Sequence, residues 1–457
     1  MKNKKIVVLL KYFKGELNPF DGAALECALE SGAKEITALT MAPASALEAF
    51  KSITRLGVKG VFISDTAYAG SDTQATSYVL AEAIKRLSPD VIFCGRQSID
   101  GDTAQVPPML AERLNFNIKA KVMEFSDSTL LLRGGEPCTI EEKTVYTFER
   151  IRTLRFPSIF SKMGEVEIWD NKLLSLPAEK CGLMGSPTRV VRSYESSVGR
   201  RNCVFTTPDR LSDLIEEGLK KHLTASDIKS GELLDEVYYV GNIKDVADSI
   251  ARKAIAYDEA GKSAEEIAEE FSKNNVKIVL WEDSDKLKIL ASRVAVITGA
   301  GLCADCISFR VESGRFIMTR PAQGGNITAD IVSTSNMAFA TVRTANKVGA
   351  EVIFSVGKGA VDYIDTIREL AKKYGAELCS SRIVTDSGKM PYSAQVGLTG
   401  RMVSPKVYVA FGISGAVQHT CAISGAGTVI AVNLDKHARI FDYADYGIVV
   451  DIRDCCR

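Results

Sequence analysis

The chain has 457 residues, of which 46% are hydrophobic and 25% are charged. This length is too great for one hydrophobic core, and the usual domain size predicts about three domains. Lysine and arginine total 57 and are balanced by 57 aspartates and glutamates, which argues against a protein that binds nucleic acid or an anionic membrane surface. The longest apolar runs, such as 6–10 and 407–411, are only as long as strands, so we do not expect an integral membrane protein.

The N-terminus and the cysteines indicate a cytoplasmic protein. The sequence opens MKNKKIVVLLKYFK, in which a short apolar run lies between lysines. This pattern favours a first buried strand over a signal peptide. Eleven cysteines follow no regular framework, which in a chain of this length is typical of buried free thiols in a reducing compartment. We therefore expect a cytoplasmic location.

Strand-like and helix-like segments alternate along residues 1–115. Strands joined by helices of this length pair in parallel through right-handed crossovers, which predicts a doubly wound α/β sheet. Ligands of such sheets bind beyond the carboxyl ends of the strands, so the loop after Cys94 is the first candidate site. The predicted strands are 6–10, 35–41, 61–64 and 90–94, and the predicted helices are 20–29, 44–55, 73–87 and 103–114.

The rest of the chain continues this domain and adds an arm and two further α/β regions. Residues 116–195 complete a first domain, 1–195, and 196–234 form a polar connecting arm with one short helix at 211–223. A second alternating region spans 235–345 and a third spans 346–457. The predicted fold class is therefore α/β, with two doubly wound, nucleotide-binding-like domains and a third α/β domain. In the third domain we predict strands 352–356, 377–381, 407–411, 428–433 and 447–452, with a helix at 361–374.

The densest chemical signal lies in the third domain. The predicted strand 407–411 ends in GISGAVQH (412–419), a glycine-containing turn that opens a helix. Backbone N–H groups at a helix start, with glycines that allow close approach, form an anion site suited to a pyrophosphate, although any tight strand-to-helix connection can use glycine. The neighbouring motifs are SSRIVTD (380–386), QVGLTG (395–400), AVNLD (431–435) and ADYGIVVD (444–451).

In this order and spacing, the motifs resemble the FAD-binding domain of the electron transfer flavoprotein α subunit over residues 346–457. The resemblance implies that Ser381 and Arg382 contact the flavin ring of a bound FAD. The other implied cofactor-binding residues are Gln395, Val396, Thr399 and Gly400 along the ring, Ser414, Gly415, Gln418 and His419 around the phosphate, ribityl and ring region, and Asn433 and Asp451 toward the adenosine end.

Two of these residues have a chemistry that suits control of the flavin potential. Reduction places negative charge on the N1–C2=O edge of the ring, where a cation or a strong donor favours the reduced anionic forms. Arg382 supplies a permanent charge that can lie flat on a ring, and His419 can donate a hydrogen bond in either protonation state, so we assign the catalytic roles to this pair. Taken singly, Arg382 also fits a surface salt bridge, His419 a satisfied polar residue and Asp451 a solvated carboxylate.

Three features depart from the family pattern. Leu434 stands where the family usually has lysine, which puts one charge near the cofactor in doubt. Lys389 stands where the family usually has tryptophan, and the chain ends soon after Asp451, without the usual final helix. The second and third differences affect packing more than binding.

A second candidate site follows the predicted strand 90–94 in GRQSIDGDTAQVPPMLAERL (95–114). A glycine turn with carboxylates and a threonine at a helix start can bind ribose hydroxyls or phosphates. The same residues, Asp100, Asp102 and Thr103, are also ordinary helix-capping types. The motifs that accompany this segment are NPFDGAALECAL (18–29), AGSDTQATSYVLAEAI (69–84) and LMGSPTRVV (183–191).

These segments resemble the β subunit of the same flavoproteins over residues 1–195, which implies a site for AMP or a second FAD. The DGDTAQV form resembles electron-bifurcating members, in which the second flavin takes hydride from NADH. Only YFKGEL separates the first strand from NPFD, where the family has a longer stretch that helps to form the nucleotide and nicotinamide region, and this argues against NADH oxidation. The candidate residues are Ser98, Gly101, Asp102, Thr103, Gln105 and Val106.

The middle region, 235–345, resembles the latter part of the first domain of the α subunit, without its opening strands. The matching motifs are GAGLCADC (299–306), RPAQGGNITADI (320–331) and ATVR (340–343). Cys303 and Cys306 form a C-x-x-C pair that could be redox-active or bind a metal. Because the family has a similar sequence there without a metal, and no second pair is nearby, we expect buried structural cysteines and no metal site.

The segment RFPSIFSKM (155–163) resembles the β-subunit loop that docks onto partner dehydrogenases, with Ile159 at the position of its aliphatic anchor. An aliphatic side chain inserted into a pocket is sound interface chemistry. The resemblance implies acyl-CoA dehydrogenase-type or other flavoprotein oxidoreductases as partners. The alternative is an ordinary hydrophobic loop packed on its own domain.

The function expected from these features is that of an electron transfer flavoprotein with its β and α subunits fused in one chain. Such a protein is an electron carrier rather than a conventional enzyme, and it moves electrons on FAD between partner dehydrogenases and a downstream acceptor. One alternative is a bifurcating form with a second FAD, and another is a non-redox nucleotide-binding partner or regulatory protein. A hydrolase is disfavoured, because no nucleophile–base pair stands out among three histidines.

Overall fold

The computed structural model describes residues 1–126, 129–133, 135, 137–195, 200–220, 232–323, 327–343, 350–397, 400–401 and 403–455. The chain forms two compact units. The first unit comprises 1–192, 231–323 and 329–342, and the second comprises 193–230, 324–328 and 343–457.

The N-terminal part of the first unit is built on a large, mainly parallel sheet. Its strands lie in the order β11-β5-β4-β1-β6-β10-β7-β8-β9. The described pairs are parallel except for β7 with β8 and β8 with β9, which are antiparallel. The elements are β1 (Lys5–Leu9), β2 (Tyr12–Phe13), β3 (Glu16–Leu17), α1 (Pro19–Glu30), β4 (Glu35–Met41), α2 (Leu47–Ile53), β5 (Lys59–Ile63), α3 (Thr73–Leu87), β6 (Val91–Gly95), α4 (Val106–Leu114), β7 (Asn117–Ser126), β8 (Thr129–Leu132), β9 (Pro137–Thr139), β10 (Thr144–Phe148), β11 (Val166–Trp169), α5 (Asn171–Leu174) and β12 (Thr188–Glu195).

This sheet confirms the predicted doubly wound fold. Strand β1 pairs in parallel with β4 on one side and with β6 on the other, so the direction of winding reverses between β1 and β6. All five residues of β6 are buried, as expected for a parallel strand covered on both faces. The point of reversal is where ligands bind in such sheets.

Helix α4 begins later than predicted, at Val106 instead of residue 103. Pro107 and Pro108 lack an N–H group and fit only in the first turn of a helix, which fixes its start just before them. Asp102 and Ala104 have left-handed backbone conformations, with φ of +52° and +54°, and therefore cannot belong to a helix. The predicted helix 44–55 is also shorter, since α2 is flanked by single turns of 3-10 helix.

The chain passes through the second unit as β13 (Val204–Thr206) and α6 (Leu211–Lys220) and then returns to the first unit. Two further sheets follow there, a parallel one in the order β15-β14-β16-β21-β17 and one in the order β12-β20-β19-β18. Their elements are β14 (Leu234–Val240), α7 (Lys244–Ile250), β15 (Ala251–Ala256), α8 (Ala264–Lys273), β16 (Ile278–Glu282), α9 (Asp285–Thr298), β17 (Gly301–Cys306), β18 (Ser308–Glu312), β19 (Arg315–Ala322), β20 (Ile327–Ser333) and β21 (Ala338–Val342).

Side chains of α3 and α4 fasten these sheets to the N-terminal one within the first unit. The Gln74 side-chain amide donates to the carbonyl oxygen of Ala295 at 2.6 Å. Arg293 on α9 pairs with Glu112 on α4, with Nε and Oε2 2.5 Å apart. These buried and half-buried polar contacts fix the relative position of α4 and α9.

The second unit is a parallel sheet in the order β13-β26-β25-β24-β22-β23. Strand β22 pairs with β23 on one side and β24 on the other, which again creates a reversal of winding. The remaining elements are β22 (Val352–Val356), α10 (Ile364–Lys373), β23 (Glu377–Ser380), α11 (Arg382–Asp386), β24 (Val407–Phe411), α12 (Val417–Thr420), β25 (Thr428–Asn433), β26 (Tyr446–Val449) and α13 (Ile452–Cys455).

The segment expected to be a connecting arm contributes to this second unit. Strand β13 pairs in parallel with β26 at the sheet edge. Helix α6 begins at the predicted residue 211, and its buried residues Leu211, Leu214 and Ile215 belong to the same hydrophobic core as β22 and β24. The rest of the predicted helix, 221–223, lies outside the described residues.

Among the described residues, no helix is both long and apolar enough to cross a membrane. The same residues hold no group of three or more histidine, cysteine or acidic side chains arranged to bind a metal ion.

Candidate functional site

Several residues predicted to bind FAD follow the carboxyl ends of neighbouring strands in the second unit. Ser381 and Arg382 follow β23, the turn 412–416 follows β24, Asn433 ends β25, and Asp451 follows β26. Because the strands are parallel, these ends lie at one edge of the sheet, beside the reversal of winding at β22 and β24. Residues that are far apart in the sequence are therefore brought to a single edge, the place where doubly wound sheets bind ligands.

The turn after β24 is sharply bent at two glycines. Gly412 and Gly415 have φ of +60° and +84°. A β-carbon on Gly415 would lie well under 3.0 Å from the backbone of Ile440, so only glycine fits there. The helix that follows, α12, is a single turn. The anion site predicted for this position therefore depends on backbone N–H groups of the turn rather than on the dipole of a long helix.

His419 is one of the polar side chains that the structure buries at this edge. Its Nε2 atom lies 2.8 Å from the hydroxyl of Tyr408. Burial lowers the pKa of His419 to about 4, with the backbone of Val396 acting in the opposite direction. His419 is therefore neutral at pH 7. The ring also interacts with the backbone of Val396, so the buried imidazole is held by residues of its own unit.

Arg382 lies at the start of α11 and pairs with Asp386 one turn later, with Nε and Oδ2 3.1 Å apart. Arg382 therefore makes the kind of surface salt bridge that the sequence left open as an alternative. Both partners are partly exposed, and such a pair contributes about 0–1 kcal/mol, so a bound anionic group can compete for the guanidinium.

The segment predicted to line the flavin ring is joined to the end of β23. Gln395 and Val396 are buried, and the backbone N–H of Val396 donates to the Ser380 carbonyl at 2.9 Å. Gly400 lies so close to the Gln395 carbonyl that a β-carbon could not be accommodated. Thr399 lies outside the described residues.

At the edge predicted for the adenosine, the side chains are held by their own neighbours. The Asn433 side-chain amide donates to the carbonyl of Ile413 at 2.9 Å and so fixes the glycine turn. Asp451 forms a bidentate salt bridge with Arg453, whose Nε and Nη2 atoms donate to the two carboxylate oxygens at 3.0 and 2.9 Å. These hydrogen bonds lower the pKa of Asp451 to about 2. The side chains of Ser414 and Gln418 are exposed. Asn433 therefore shapes the site, while Ser414 and Gln418 remain accessible to a ligand.

A second site is a cleft of about 950 Å³ at the carboxyl ends of β1, β4, β5 and β6 in the first unit. It lies at the reversal of winding between β1 and β6, in agreement with the predicted position after Cys94. Five of the predicted residues line it: Ser98, Gly101, Thr103, Gln105 and Val106. Asp102 is not part of the lining, and its carboxylate accepts a hydrogen bond from Gln97 Nε2 at 3.0 Å.

The helix-capping alternative for Asp100, Asp102 and Thr103 is wrong. The N-cap of α4 is Gln105, which makes no side-chain capping bond. Its side chain instead accepts from the Thr73 hydroxyl at 2.8 Å and donates to the Leu302 carbonyl at 3.2 Å. Gln105 thus helps to fix the cleft wall to β17. Asp100, Asp102 and Thr103 do not cap α4.

The cleft wall contains residues that the sequence did not single out. Asp21 is buried and accepts from the backbone N–H groups of Lys11 at 2.7 Å and Gly95 at 2.9 Å, which joins the ends of β1 and β6. Burial raises the pKa of Asp21 to about 7, although these donors act in the opposite direction. The sequence signal for Asp21 is the NPFD motif, residues 18–21.

Oxygen acceptors in this wall suit a polar ligand. Asn18 Oδ1 is buried and makes no hydrogen bond of normal geometry with the described part of the chain. The Asp100 carboxylate interacts with the Ser98 side chain and the Gly101 backbone, and one of its oxygens lies 3.4 Å from Lys11 Nζ. Such acceptors fit the hydroxyl or amino groups of a nucleotide.

The loop 155–163 presents its apolar side chains to solvent. The exposed fractions are 95% for Phe156, 85% for Ile159, 87% for Phe160 and 60% for Met163. The alternative of a loop packed on its own domain is therefore wrong for these side chains. The start of the loop is nevertheless held, because the backbone N–H of Arg155 donates to the carboxylate of buried Glu26 at 2.9 Å and the Arg155 Nε donates to it at 2.8 Å.

Cys303 and Cys306 are both buried, as predicted for structural cysteines. The Cys306 thiol lies 3.5 Å from the Cys303 carbonyl, and burial raises its pKa well above the usual value. A thiol in this state is unreactive.

Known protein families match both halves of the chain. The electron transfer flavoprotein domain matches residues 6–134 and 248–376, and the electron transfer flavoprotein FAD-binding domain matches 348–424. The chain is 32% identical over 237 residues to the electron transfer flavoprotein α subunit of Thermoanaerobacterium thermosaccharolyticum, across 42% of this chain and 71% of that protein. It is 34% identical over 227 residues to the β subunit from the same organism, across 45% of this chain and 87% of that protein.

A third relative is the acryloyl-CoA reductase electron transfer subunit γ of Anaerotignum propionicum, which is 34% identical over 236 residues, across 45% of this chain and 87% of that protein. The doubly wound sheets place the chain in the α/β class, and the match at residues 348–424 gives it the FAD-binding domain of a flavoprotein. The chain belongs to the electron transfer flavoprotein family and combines parts like the α and β subunits in one polypeptide.

Proposed function

We propose that this electron transfer flavoprotein carries electrons on an FAD held at the strand edge of the second unit, between flavoprotein dehydrogenases and a downstream acceptor. The supporting observation is that a neutral buried donor, His419, and a permanent cation, Arg382, follow strands of the same parallel sheet and lie at one edge of it. FAD supplies reversible electron uptake, and the residues at this edge bind it and set its potential. Ser381, Gln395, Val396, Thr399, Gly400, Ser414, Gly415, Gln418, Asn433 and Asp451 complete the proposed set.

Replacing Arg382 with alanine is expected to lower the one-electron potential of the flavin by roughly 60 mV, the equivalent of a tenfold loss in stability of the reduced form. The reason is the removal of a positive charge near a ring that becomes negative on reduction. Spectroelectrochemical titration of the FAD-loaded protein measures this shift. A matched control is Arg368→Ala, which removes an arginine of α10 that pairs with Asp365 on its own helix. Equal effects of the two variants would reject the role of Arg382.

The partner proposal rests on the exposed loop 155–163, with Ile159 as the anchor that inserts into a dehydrogenase of the acyl-CoA type. Replacing Ile159 with alanine is expected to weaken binding by about 2 kcal/mol, or roughly thirtyfold in Kd, as for a central interface residue. Because the side chain is exposed, the stability of the protein should not change.

Surface plasmon resonance with candidate dehydrogenases measures the affinity. Ile297→Ala provides the control, since Ile297 is a partly exposed isoleucine on α9 elsewhere in the first unit. If the two variants bind alike, the loop is not the docking surface.

We further propose that the cleft of the first unit holds an adenine nucleotide, either AMP or a second FAD. Its size of about 950 Å³ lies at the upper end of the usual range for ligand pockets, which favours the dinucleotide and hence the bifurcating alternative. Heating the protein to release its bound nucleotides, and counting each nucleotide per chain, distinguishes AMP from a second FAD. One FAD with one AMP would indicate a simple carrier, and two FADs would support bifurcation, which hydride transfer from NADH then tests directly.

A further inference from the structure

The exposed loop 155–163 is fixed at both ends by residues from other parts of the first unit. At its start, the backbone N–H of Arg155 donates to the carboxylate of buried Glu26 at 2.9 Å. Just after its end, the backbone N–H of Gly164 donates to Thr54 Oγ1 at 2.9 Å. The loop backbone therefore has a defined course, although the loop contains neither a helix nor a strand.

The middle of the loop is a tight turn that carries two large apolar side chains. The backbone N–H of Ser161 donates to the Ser158 carbonyl at 3.0 Å, which closes a four-residue β-turn. Ile159 and Phe160 are the two central residues of this turn, and they are 85% and 87% exposed. The turn thus places an aliphatic and an aromatic side chain next to each other at the surface.

The side chain of Arg55 contacts this turn on both sides of its two central residues. Arg55 lies in the single 3-10 turn that follows α2. Its Nη2 atom donates to the Ser158 carbonyl at 3.0 Å, and its Nε atom donates to the Ser161 carbonyl at 3.3 Å. Both bonds come from one planar guanidinium, which holds its donors in a fixed geometry. Arg55 therefore ties together the two residues whose own hydrogen bond closes the turn.

These bonds matter because the tip of the loop gains nothing from burial. Ordering a loop costs conformational entropy, and the exposed side chains of Ile159 and Phe160 do not offset that cost by packing in the free protein. The hydrogen bonds from Arg55 offset it instead. A partner that meets a loop already held in one conformation does not lose affinity to the ordering of that loop.

We propose that Arg55 is a positioning residue for partner docking, which holds the turn 158–161 so that Ile159 and Phe160 enter an apolar pocket of the partner together. The partner is a flavoprotein dehydrogenase, and in this respect the inference rests on the proposed function. It adds a second anchor, Phe160, and the residue that positions both anchors. Large side chains that a partner desolvates fully at the centre of an interface contribute most of the binding energy.

Hydrogen exchange of the full-length protein tests the turn without any partner. Arg55→Ala should speed exchange of the Ser161 amide about tenfold, the equilibrium factor of one hydrogen bond with a charged donor. Arg55→Lys keeps the charge but not the planar pair of donors, so it should speed exchange by a similar factor. Arg86→Ala is the matched control, because Arg86 donates to the Leu174 carbonyl at 3.0 Å, outside the loop, and it should leave the rate unchanged.

Two results of this experiment would overturn the proposal. One is a Ser161 amide that exchanges at the same rate in Arg55→Ala and in the unaltered protein. The other is full protection in Arg55→Lys, which would show that the positive charge alone is sufficient. Thermal unfolding of each variant confirms that the change is local to the turn.

Surface plasmon resonance with a purified acyl-CoA dehydrogenase tests the effect on docking. Arg55→Ala should weaken binding about tenfold, because the cost of ordering the loop returns to the binding step. Phe160→Ala should weaken it roughly thirtyfold, as expected for a second anchor. In a chain that carries both Ile159→Ala and Phe160→Ala, the further change Arg55→Ala should add less than about twofold, since it acts through those side chains.

The outcomes separate this inference from the proposed function. If Ile159→Ala weakens binding while Arg55→Ala and Phe160→Ala do not, the positioning role is overturned and the docking loop stands. If Arg55→Ala weakens binding equally with and without the two anchor side chains, Arg55 contacts the partner directly and the positioning role is again overturned. If the unaltered protein does not bind the dehydrogenase, the proposed partner and the docking role of Arg55 both fail, whereas faster exchange in Arg55→Ala would still establish its hold on the turn.

Discussion

Replacing Gly415 with alanine is expected to lower the free energy of unfolding of the second unit by about 4 kcal/mol and to prevent FAD from binding there. Gly415 has φ of +84°, a left-handed conformation that costs an alanine about 1–2 kcal/mol. The new β-carbon would also lie well under 3.0 Å from backbone atoms of Ile440 and Arg439, which cannot turn aside as a side chain can. Overpacking of this kind costs about 1–3 kcal/mol more.

Gly388 provides a matched control for this prediction. It has a similar φ of +72°, but a β-carbon there would meet nothing within 4 Å. Gly388→Ala should therefore show only the backbone cost of about 1–2 kcal/mol. Hydrogen exchange of peptides that cover β24 and β25, together with FAD titration, measures both variants. Equal destabilisation by the two substitutions would show that the turn has room for a side chain and would contradict its assigned role.

Acid is expected to destabilise the second unit through His419. The pKa of this side chain is about 4 in the folded protein and about 6.5 in an unfolded chain. Between these values the unfolded state binds the additional proton, so stability is complete above pH 6.5 and is lost as the pH falls toward 4. The loss at pH 4 amounts to about 3 kcal/mol.

Urea denaturation at a series of pH values measures this dependence, and comparison with His419→Gln isolates the contribution of one residue. The variant should lose about 3 kcal/mol less than the unaltered protein between pH 6.5 and pH 4. His437→Gln is the control, because His437 is exposed in the same unit. Identical pH dependence in the unaltered protein and His419→Gln would contradict the burial of a neutral imidazole.

The buried strands were predictable because of how parallel sheets are covered. Strands that are buried on both faces appear as short apolar runs, and residues 352–356, 407–411 and 428–433 have the predicted bounds in the structure. The helix at 73–87 also has its predicted bounds, and it starts after Asp72, whose side chain accepts from the N–H groups of Gln74 and Ala75. Local sequence therefore defines both the type and the limits of these elements.

Other features depend on contacts between distant residues, which a single sequence does not reveal. The bond between Tyr408 and His419 joins a core strand to the turn beyond it, and no motif marks Tyr408. The hydrogen bond from the Gly95 backbone N–H to the Asp21 carboxylate links β6 to α1. In contrast, the late start of α4 had a local signal in Pro107 and Pro108, because proline fits only in the first turn.

The exposure of the loop 155–163 also required the structure. Its sequence is as apolar as many buried segments, and Phe156 and Ile159 would be assigned to a core by composition alone. The backbone N–H of Arg155 donates to Glu26, which anchors the start of the loop, and the side chains of Phe156 and Ile159 are exposed beyond it. An apolar patch kept exposed in this way suits a partner surface.

In the proposed function, an FAD held by the second unit carries electrons. Potentiometric titration of the FAD-saturated full-length protein tests it most directly, with the flavin spectrum as the readout and Gly415→Ala identifying the flavin that belongs to this unit. We expect a yellow protein whose flavin takes up and returns electrons reversibly, and whose potential falls in Arg382→Ala. A protein that stays colourless with added FAD, or a flavin that is retained in Gly415→Ala and unaffected by Arg382→Ala, would contradict the assignment.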